Sequence, residues 1–183
     1  MYTKIIQADI SHTAMIVTIG KKSFRNAFEH LFKCKEELLE YLEYTYEPVK
    51  LAKSIRKENN IYLLAYRGGK PAGFAKVKKH SLNDQIESGA QMELQKVYVL
   101  PEHHGNGVGT ALLKEVKELA REIYPDYIWL DTHISNENAI RLYERNGFKK
   151  LGNYFFTIGT QTFEYYVMGL PLAFKVTSAL LKP

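Results

Sequence analysis

A strand closed by a proline, a loop with glycine at every second position and a long amphipathic helix follow one another between Glu93 and Ile123. This succession constrains the fold more than any other part of the chain. The run Glu93-Leu94-Gln95-Lys96-Val97-Tyr98-Val99 reads as a strand, and Pro101 closes it. Gly105, Gly107 and Gly109 then alternate with Asn106 and Val108. Val108, Leu112, Val116, Leu119 and Ile123 recur at helical spacing. The first turn of such a helix leaves about four main-chain N–H groups without an intrahelical acceptor. Those donors and the helix dipole favour an anion, and a pyrophosphate is the natural guest. Glycine lets the backbone take positive φ and lets a ligand approach closely. The loop matches neither common nucleotide pattern. Thr110 follows Gly109 without the lysine of a Walker loop, and alternate glycines differ from the G-x-G-x-x-G of dinucleotide folds.

Around this segment the pattern alternates between the two periods. Tyr2 to Ala8 reads as a first strand, and Asp9 or Ser11 caps a helix that runs toward Phe28. Helical stretches follow over Glu36 to Tyr46 and from Pro48 to Arg56. Ile61 to Tyr66 and Ala72 to Lys79 read as strands joined at Gly68-Gly69. Tyr127 to His133 is a strand, and Asn136 to Arg145 a helix that ends at Asn146-Gly147. Phe148 to Ile158 and Phe163 to Leu170 form a closing hairpin. The order predicts an α/β or α+β sandwich around a mixed sheet.

With 183 residues, 45% of them hydrophobic, the chain is long enough for one full core and short for two. No repeat or linker divides it, so a single domain is expected over 1–172, with a tail over 173–183. Leu170, Leu172, Phe174, Leu180 and Leu181 leave two readings open: packing on the chain's own core, or against a second copy in a homodimer.

A net charge of +5 favours anionic partners, either a phosphorylated cofactor or a nucleic acid. The interleaved basic and aromatic clusters of nucleic-acid binders are not found. The densest basic run, Lys76-Val77-Lys78-Lys79-His80, reads as a solvated strand end. Cys34 is the only cysteine, which excludes an internal disulfide, and it reads as a buried small hydrophobe. The N-terminus lacks the pattern of a signal peptide, and no apolar stretch is long enough to span a bilayer. A cytoplasmic protein without membrane or nucleic-acid partners is expected.

His104-Gly105-Asn106-Gly107-Val108-Gly109 resembles the acetyl-CoA loop of the GCN5-related N-acetyltransferase (GNAT) superfamily, Arg/Gln-x-x-Gly-x-Gly/Ala. His104 stands where arginine or glutamine is usual. A second segment, from Asn136 through Ala139, Leu142-Tyr143-Glu144 and Gly147-Phe148, matches the family's Asn-x-x-Ala-x-x-Leu-Tyr-Glu-Lys-x-Gly-Phe. The resemblance is strongest from Glu93 to Phe148. It implies a central mixed, mostly antiparallel, twisted sheet flanked by helices, with a splayed pair of parallel strands. It also implies direct transfer of acetyl from acetyl-CoA to a primary amine, without a metal. Phe24 to Phe28, Leu38 to Leu42, Ile128-Trp129-Leu130 and Asn136 to Ala139 more narrowly resemble bacterial spermidine/spermine N-acetyltransferases. That implies a small-molecule acceptor such as a polyamine. The alternatives are a protein N-terminal or lysine acetyltransferase and a non-catalytic CoA-binding regulator.

The resemblance further implies that the main chain of Val97, Tyr98 and Val99 pairs with the pantetheine arm. The amides of His104, Gly105, Asn106, Gly107, Val108, Gly109 and Thr110 would hold the pyrophosphate. A histidine at 104 keeps those amides but loses a permanent charge, which implies weaker or more pH-dependent affinity. Asn136 approaches the cofactor arm and also suits a helix cap. Tyr143 matches the general acid; a core aromatic beside Ile140 and Ala139 on the inner face of its helix is the other reading. A tyrosine hydroxyl, with pKa about 10, is protonated at neutral pH and donates to a thiolate whose pKa resembles the cysteine value of about 8.5. Glu93 is the candidate base, because an alkylammonium with pKa about 10 must lose a proton before it attacks; a solvated strand-end carboxylate is the other reading. Gln95 is expected on the same face as Glu93. His133 lines the acceptor pocket, relays a proton or sits at the core edge. Glu36, Glu37, Glu40, Glu43 and Glu47 give a helix face that either attracts a polycation or is merely solvated.

Overall fold

The strand Asn60–Arg67 carries an unbroken apolar run, and Tyr62, Leu63, Leu64 and Ala65 are all buried. That is the pattern of a strand covered on both faces. Tyr62 and Leu64 point into one core and Leu63 and Ala65 into the other. The computed structural model describes residues 2–172. Its strands are β1 (Thr3–Gln7), β2 (Asn60–Arg67), β3 (Lys70–Lys78), β4 (Gln91–Val99), β5 (Tyr127–His133), β6 (Lys149–Ile158) and β7 (Gln161–Pro171). They form a seven-stranded sheet in the order β1-β2-β3-β4-β5-β7-β6. Every pairing is antiparallel except β4 with β5.

Helices α1 (Thr13–Phe28), α2 (Lys35–Thr45) and α3 (Pro48–Ile55) cover one face, through Ile16, Ile19, Leu38, Leu42 and Leu51. Helices α4 (Val108–Ile123) and α5 (Glu137–Arg145) lie on the other. The stripe on α4 buries Val108, Leu112 and Val116, with Leu113 and Ala120 added and Leu119 and Ile123 at its margin. Each fully buried leucine contributes about 1.5–3 kcal/mol. Asp9 caps a 3-10 turn, Ile10–His12, before α1 begins. Leu170 and Leu172 pack on the chain's own core, while Phe174, Leu180, Leu181 and the rest of 173–183 lie outside the described residues. No helix among the described residues is long and apolar enough to cross a membrane.

The site is created by a failure of pairing. β4 pairs with β5 only at Gln91↔Tyr127, Met92↔Ile128 and Glu93↔Trp129. On its other edge β4 pairs with β3, but the register slips between Lys76↔Lys96 and Val77↔Leu94. Gln95 is thus an extra residue in β4. A bulge bends its strand and sharpens the local twist, and this one falls two residues beyond the last rung to β5. From Leu94 onward the parallel strands splay. β4 starts two residues earlier than the sequence predicts, at Gln91. That side chain is 2% exposed, and its Nε2 donates to the carbonyls of Ile86 at 3.0 Å and Ser88 at 2.7 Å. It ties the preceding loop to the strand.

Two expectations need correction. Cys34 is half-buried rather than fully enclosed, with its Sγ 3.2 Å from Glu36 Oε2. The basic run is not simply a solvated strand end. Lys76 is half-buried and Lys78 Nζ lies 3.1 Å from Glu93 Oε2, because β3 is an internal strand whose neighbours cover it.

Candidate active site

Gly105 and Gly107 hold φ of +71° and +78°, and a Cβ built on either meets no atom within 4 Å. The loop is therefore left-handed and open to solvent. Gly109 has a different job, since its Cβ would stand 3.1 Å from Leu142 Cδ2, where α4 meets α5. Ala111 is the first amide to close α4, onto Gly107 O at 2.9 Å. The amides of Val108, Gly109 and Thr110 accordingly have no intrahelical acceptor. They face a groove of about 800 Å³ that runs along β4 and over the start of α5.

The floor of the groove is the released edge of β4. Leu100 N–H donates to Ala72 O at 2.9 Å. By the alternation of antiparallel bonding, the main chain of Tyr98 then faces β3, where it pairs with Phe74, and the main chain of Val97 and Val99 faces the gap. Tyr98 is thus corrected: its main chain is committed to the sheet, and its ring lies on the α1 side, tilted against Phe74 with centroids 5.7 Å apart. The Val99 carbonyl is also engaged. It accepts from Ser23 Oγ at 3.1 Å and lies 2.9 Å from His104 Nε2. The His104 side chain is exposed but folded back onto the strand end.

Across the gap stands α5. Asn136 caps it, with Oδ1 accepting from Ala139 N–H at 3.2 Å. Tyr143 is 7% exposed, and burial raises its pKa well above the usual tyrosine range. Its hydroxyl makes no protein hydrogen bond among the described residues. Tyr143, Asn136, Val97 and Tyr98 line both the groove and a second cleft of about 310 Å³ on the α1–α2 side.

Glu93 lies in this second cleft. It is not a solvated strand end: it is 8% exposed, accepts from Ser81 Oγ at 2.7 Å and pairs with Lys78. Gln95 shares the cleft with it, and the bulge adds Lys96 to the same wall. Asp131, from β5, joins them; its residue surface is exposed, but partial desolvation of the carboxyl, followed by the charge of Glu93, raises its pKa to about 6. His133 is 8% exposed and lies between Phe28, Phe163 and Tyr165, with Nδ1 2.8 Å from Ser135 Oγ. Burial, then His30, lowers its pKa. Asp131 and Lys96 escaped the sequence reading, although each is a charge in the middle of a strand.

The acidic face of α2 is corrected. Glu37 accepts from Thr160 N–H at 3.0 Å and its hydroxyl at 2.9 Å, in the turn between β6 and β7. Glu43 pairs with Lys21, and Glu47 caps α3. None of the five glutamates lines the cleft; Tyr41 is the α2 residue that does.

A sheet that splays between two parallel strands, beside a helix opened by a glycine turn, is the framework of a CoA-dependent N-acetyltransferase. The chain belongs to the acetyltransferase (GNAT) family, which matches residues 23–148. An uncharacterized N-acetyltransferase of Mycobacterium tuberculosis is 27% identical over 133 residues, 73% of this chain and 81% of the relative. Streptothricin acetyltransferase of Streptomyces lavendulae is 32% identical over 84 residues, 46% of this chain and 41% of that one. The PaiA N-acetyltransferase of Thermoplasma acidophilum, solved with coenzyme A, shares the fold at a TM-score of 0.76, with 19% identity over 94% of this chain and all of that one (100%). This chain is an acetyl-CoA-dependent N-acetyltransferase, with acetyl-CoA as cosubstrate.

Proposed function

We propose that the enzyme acetylates a primary amine of a small molecule. The observation that carries this is the bridge over the acceptor cleft. The Tyr41 and Phe156 rings meet edge-on at 6.4 Å within its lining, and outside the lining Glu37 of α2 holds the β6–β7 turn at Thr160 and Gln161 Nε2 donates to Leu31 O at 2.7 Å. A cleft closed in this way suits a compact amine better than a polypeptide. The relative named streptothricin acetyltransferase supports the same class.

In this reading the amides of Val108, Gly109 and Thr110, with those of Gly105 and Gly107, hold the pyrophosphate, as the open loop and helix start favour; the expectation is corrected for His104 and Asn106, whose N–H groups already donate to Pro101 O at 3.1 Å and His103 O at 3.4 Å. Val97 offers its main-chain N–H and carbonyl to the pantetheine arm, and Val99 its N–H, since the Val99 carbonyl is already engaged by Ser23 and His104. Bound acetyl-CoA supplies an acetyl thioester that a neutral amine attacks. Asp131 and Glu93 attract the ammonium, and Glu93 takes its proton directly or through water. Tyr143 offers its phenol proton where the two clefts meet, for the departing thiolate. Asn136 keeps that end of α5 in place. A polyamine remains among the acceptors, attracted by Asp131 and Glu93 instead of α2.

The test is CoA release against a panel of spermidine, spermine, amino acids, aminoglycosides and peptides with free N-termini or lysines. Turnover of one or more small amines, with peptides inert, is the expected result. Peptide-only turnover would replace the reading with a protein acetyltransferase. Silence with every amine despite acetyl-CoA binding would make the chain a CoA-binding regulator.

A further inference from the structure

Lys76 and Lys96 stand directly opposite each other across β3 and β4. Like charges so placed repel, and neither side chain forms an ion pair among the described residues. Glu93, the carboxylate nearest in effect to both, already holds Lys78 and Ser81. Burial first, and for Lys76 the neighbouring ammonium groups next, bring both lysines down to about 8. The pair sits in a cavity of about 210 Å³ between β3, β4 and α3; Lys50 of α3 is also part of the lining, but its ammonium is engaged with Tyr44, donating to the carbonyl at 3.3 Å and lying 3.2 Å over the ring.

The rest of the lining is equally one-sided. Ser54 Oγ and Tyr62 OH share a hydrogen bond of 2.9 Å, and Asn60 Nδ2 also donates to Ser54 Oγ at 3.0 Å. One hydroxyl proton of that pair is therefore left to give. Tyr46, 1% exposed, forms part of the wall; its buried hydroxyl makes no well-formed hydrogen bond among the described residues and is influenced by the Tyr98 side chain. No carboxylate lines the cavity. The glycine loop contributes nothing to it, while Gln95 and Lys96 are a wall common to this cavity and the acceptor cleft.

We propose that this cavity binds the carboxylate or phosphate group of a small anion. The group reaches Lys76 and Lys96 together and accepts the spare hydroxyl proton of the Ser54–Tyr62 pair. It comes either from the acidic end of the acceptor amine or from a free effector. Only the first source rests on the acceptor cleft proposed above.

Calorimetry on the full chain tests binding without turnover. Succinate, citrate and inorganic phosphate are titrated at fixed ionic strength in chloride. At least one is expected to bind, about tenfold more weakly in Lys76→Gln and in Lys96→Gln, while Lys76→Arg retains the affinity. Thermal melts establish that each variant is folded. Absence of binding to the unmodified protein overturns the proposal by itself, and so does equal binding by both glutamine variants.

Kinetics then separate the sources. If the anion is part of the acceptor, Lys76→Gln raises KM for 6-aminohexanoate about tenfold, spares hexylamine, and succinate competes with 6-aminohexanoate. If the anion is free, it binds without competing with either amine. Anion binding with neither amine turned over would leave this site standing and count against the small-amine reading.

Discussion

The His104 ring turns back from the glycine loop and sets its Nε2 2.9 Å from the carbonyl oxygen of Val99, the last residue of β4. The side chain that replaces the family's usual arginine or glutamine therefore shapes the strand end where Ser23 also donates. In the proposed reading, phosphate affinity at the loop is left to main-chain donors.

His104→Ala should consequently be mild. It removes one neutral hydrogen bond and no donor of the helix start, so acetyl-CoA affinity falls about fivefold, with kcat little changed. Calorimetry with acetyl-CoA, alongside steady-state rates, measures both.

Gly107→Ala should be worse for the cosubstrate than for the fold. At φ +78° an L-residue costs about 1–2 kcal/mol. Its Cβ meets no protein atom, so the added methyl occupies space a ligand needs. Urea unfolding should show that modest loss, and acetyl-CoA binding a larger one.

Tyr143→Phe should separate chemistry from binding. The hydroxyl holds no protein partner, so its removal leaves packing against Phe148 intact. We expect kcat to fall about 10²-fold or more, with the acetyl-CoA dissociation constant nearly unchanged. Equal loss of both would assign Tyr143 a binding role.

Glu93→Gln should depend on the acceptor's basicity. An alkylamine with pKa about 10 needs its proton removed at pH 7, whereas a weakly basic amine is already neutral. The variant should lose far more rate with hexylamine than with 2,2,2-trifluoroethylamine. Matched losses would indicate a positioning role through Ser81 and Lys78.

The Lys76 ammonium should be a burden on the fold near neutral pH. Its folded pKa is down to about 8 from the usual 10.5, through burial and then the charge of Lys96. The fold favours the neutral amine, so stability is gained as pH rises from about 8 toward 10.5 and lost on the way down. Lys76→Gln should be more stable than the parent at pH 7, on the order of 1 kcal/mol, and lose this advantage by about pH 11. Urea unfolding at the two pH values measures it.

The segment from Glu93 to Phe148 was readable because its signals are local. The α4 stripe, the Asn136 cap and the Asn146-Gly147 helix end each follow from neighbours a few positions apart. The bulge at Gln95 has no such signal, because only the register against β3 reveals the extra residue. The opposition of Lys76 and Lys96 was hidden for the same reason. The glutamates of α2 looked like an open acidic face because their partners, Thr160 and Lys21, lie far away in sequence. Tyr98 was misassigned because main-chain direction alternates along a strand, and only the bond from Leu100 to Ala72 sets the phase.

β4 and β5 are joined by three residue pairs, Gln91↔Tyr127 to Glu93↔Trp129, and by nothing beyond. The main-chain groups facing the gap at Val97 were never traded between those strands, so a visiting molecule has no ladder to unzip. In the proposed reading, arrival and departure at Val97 require no interstrand bond to break.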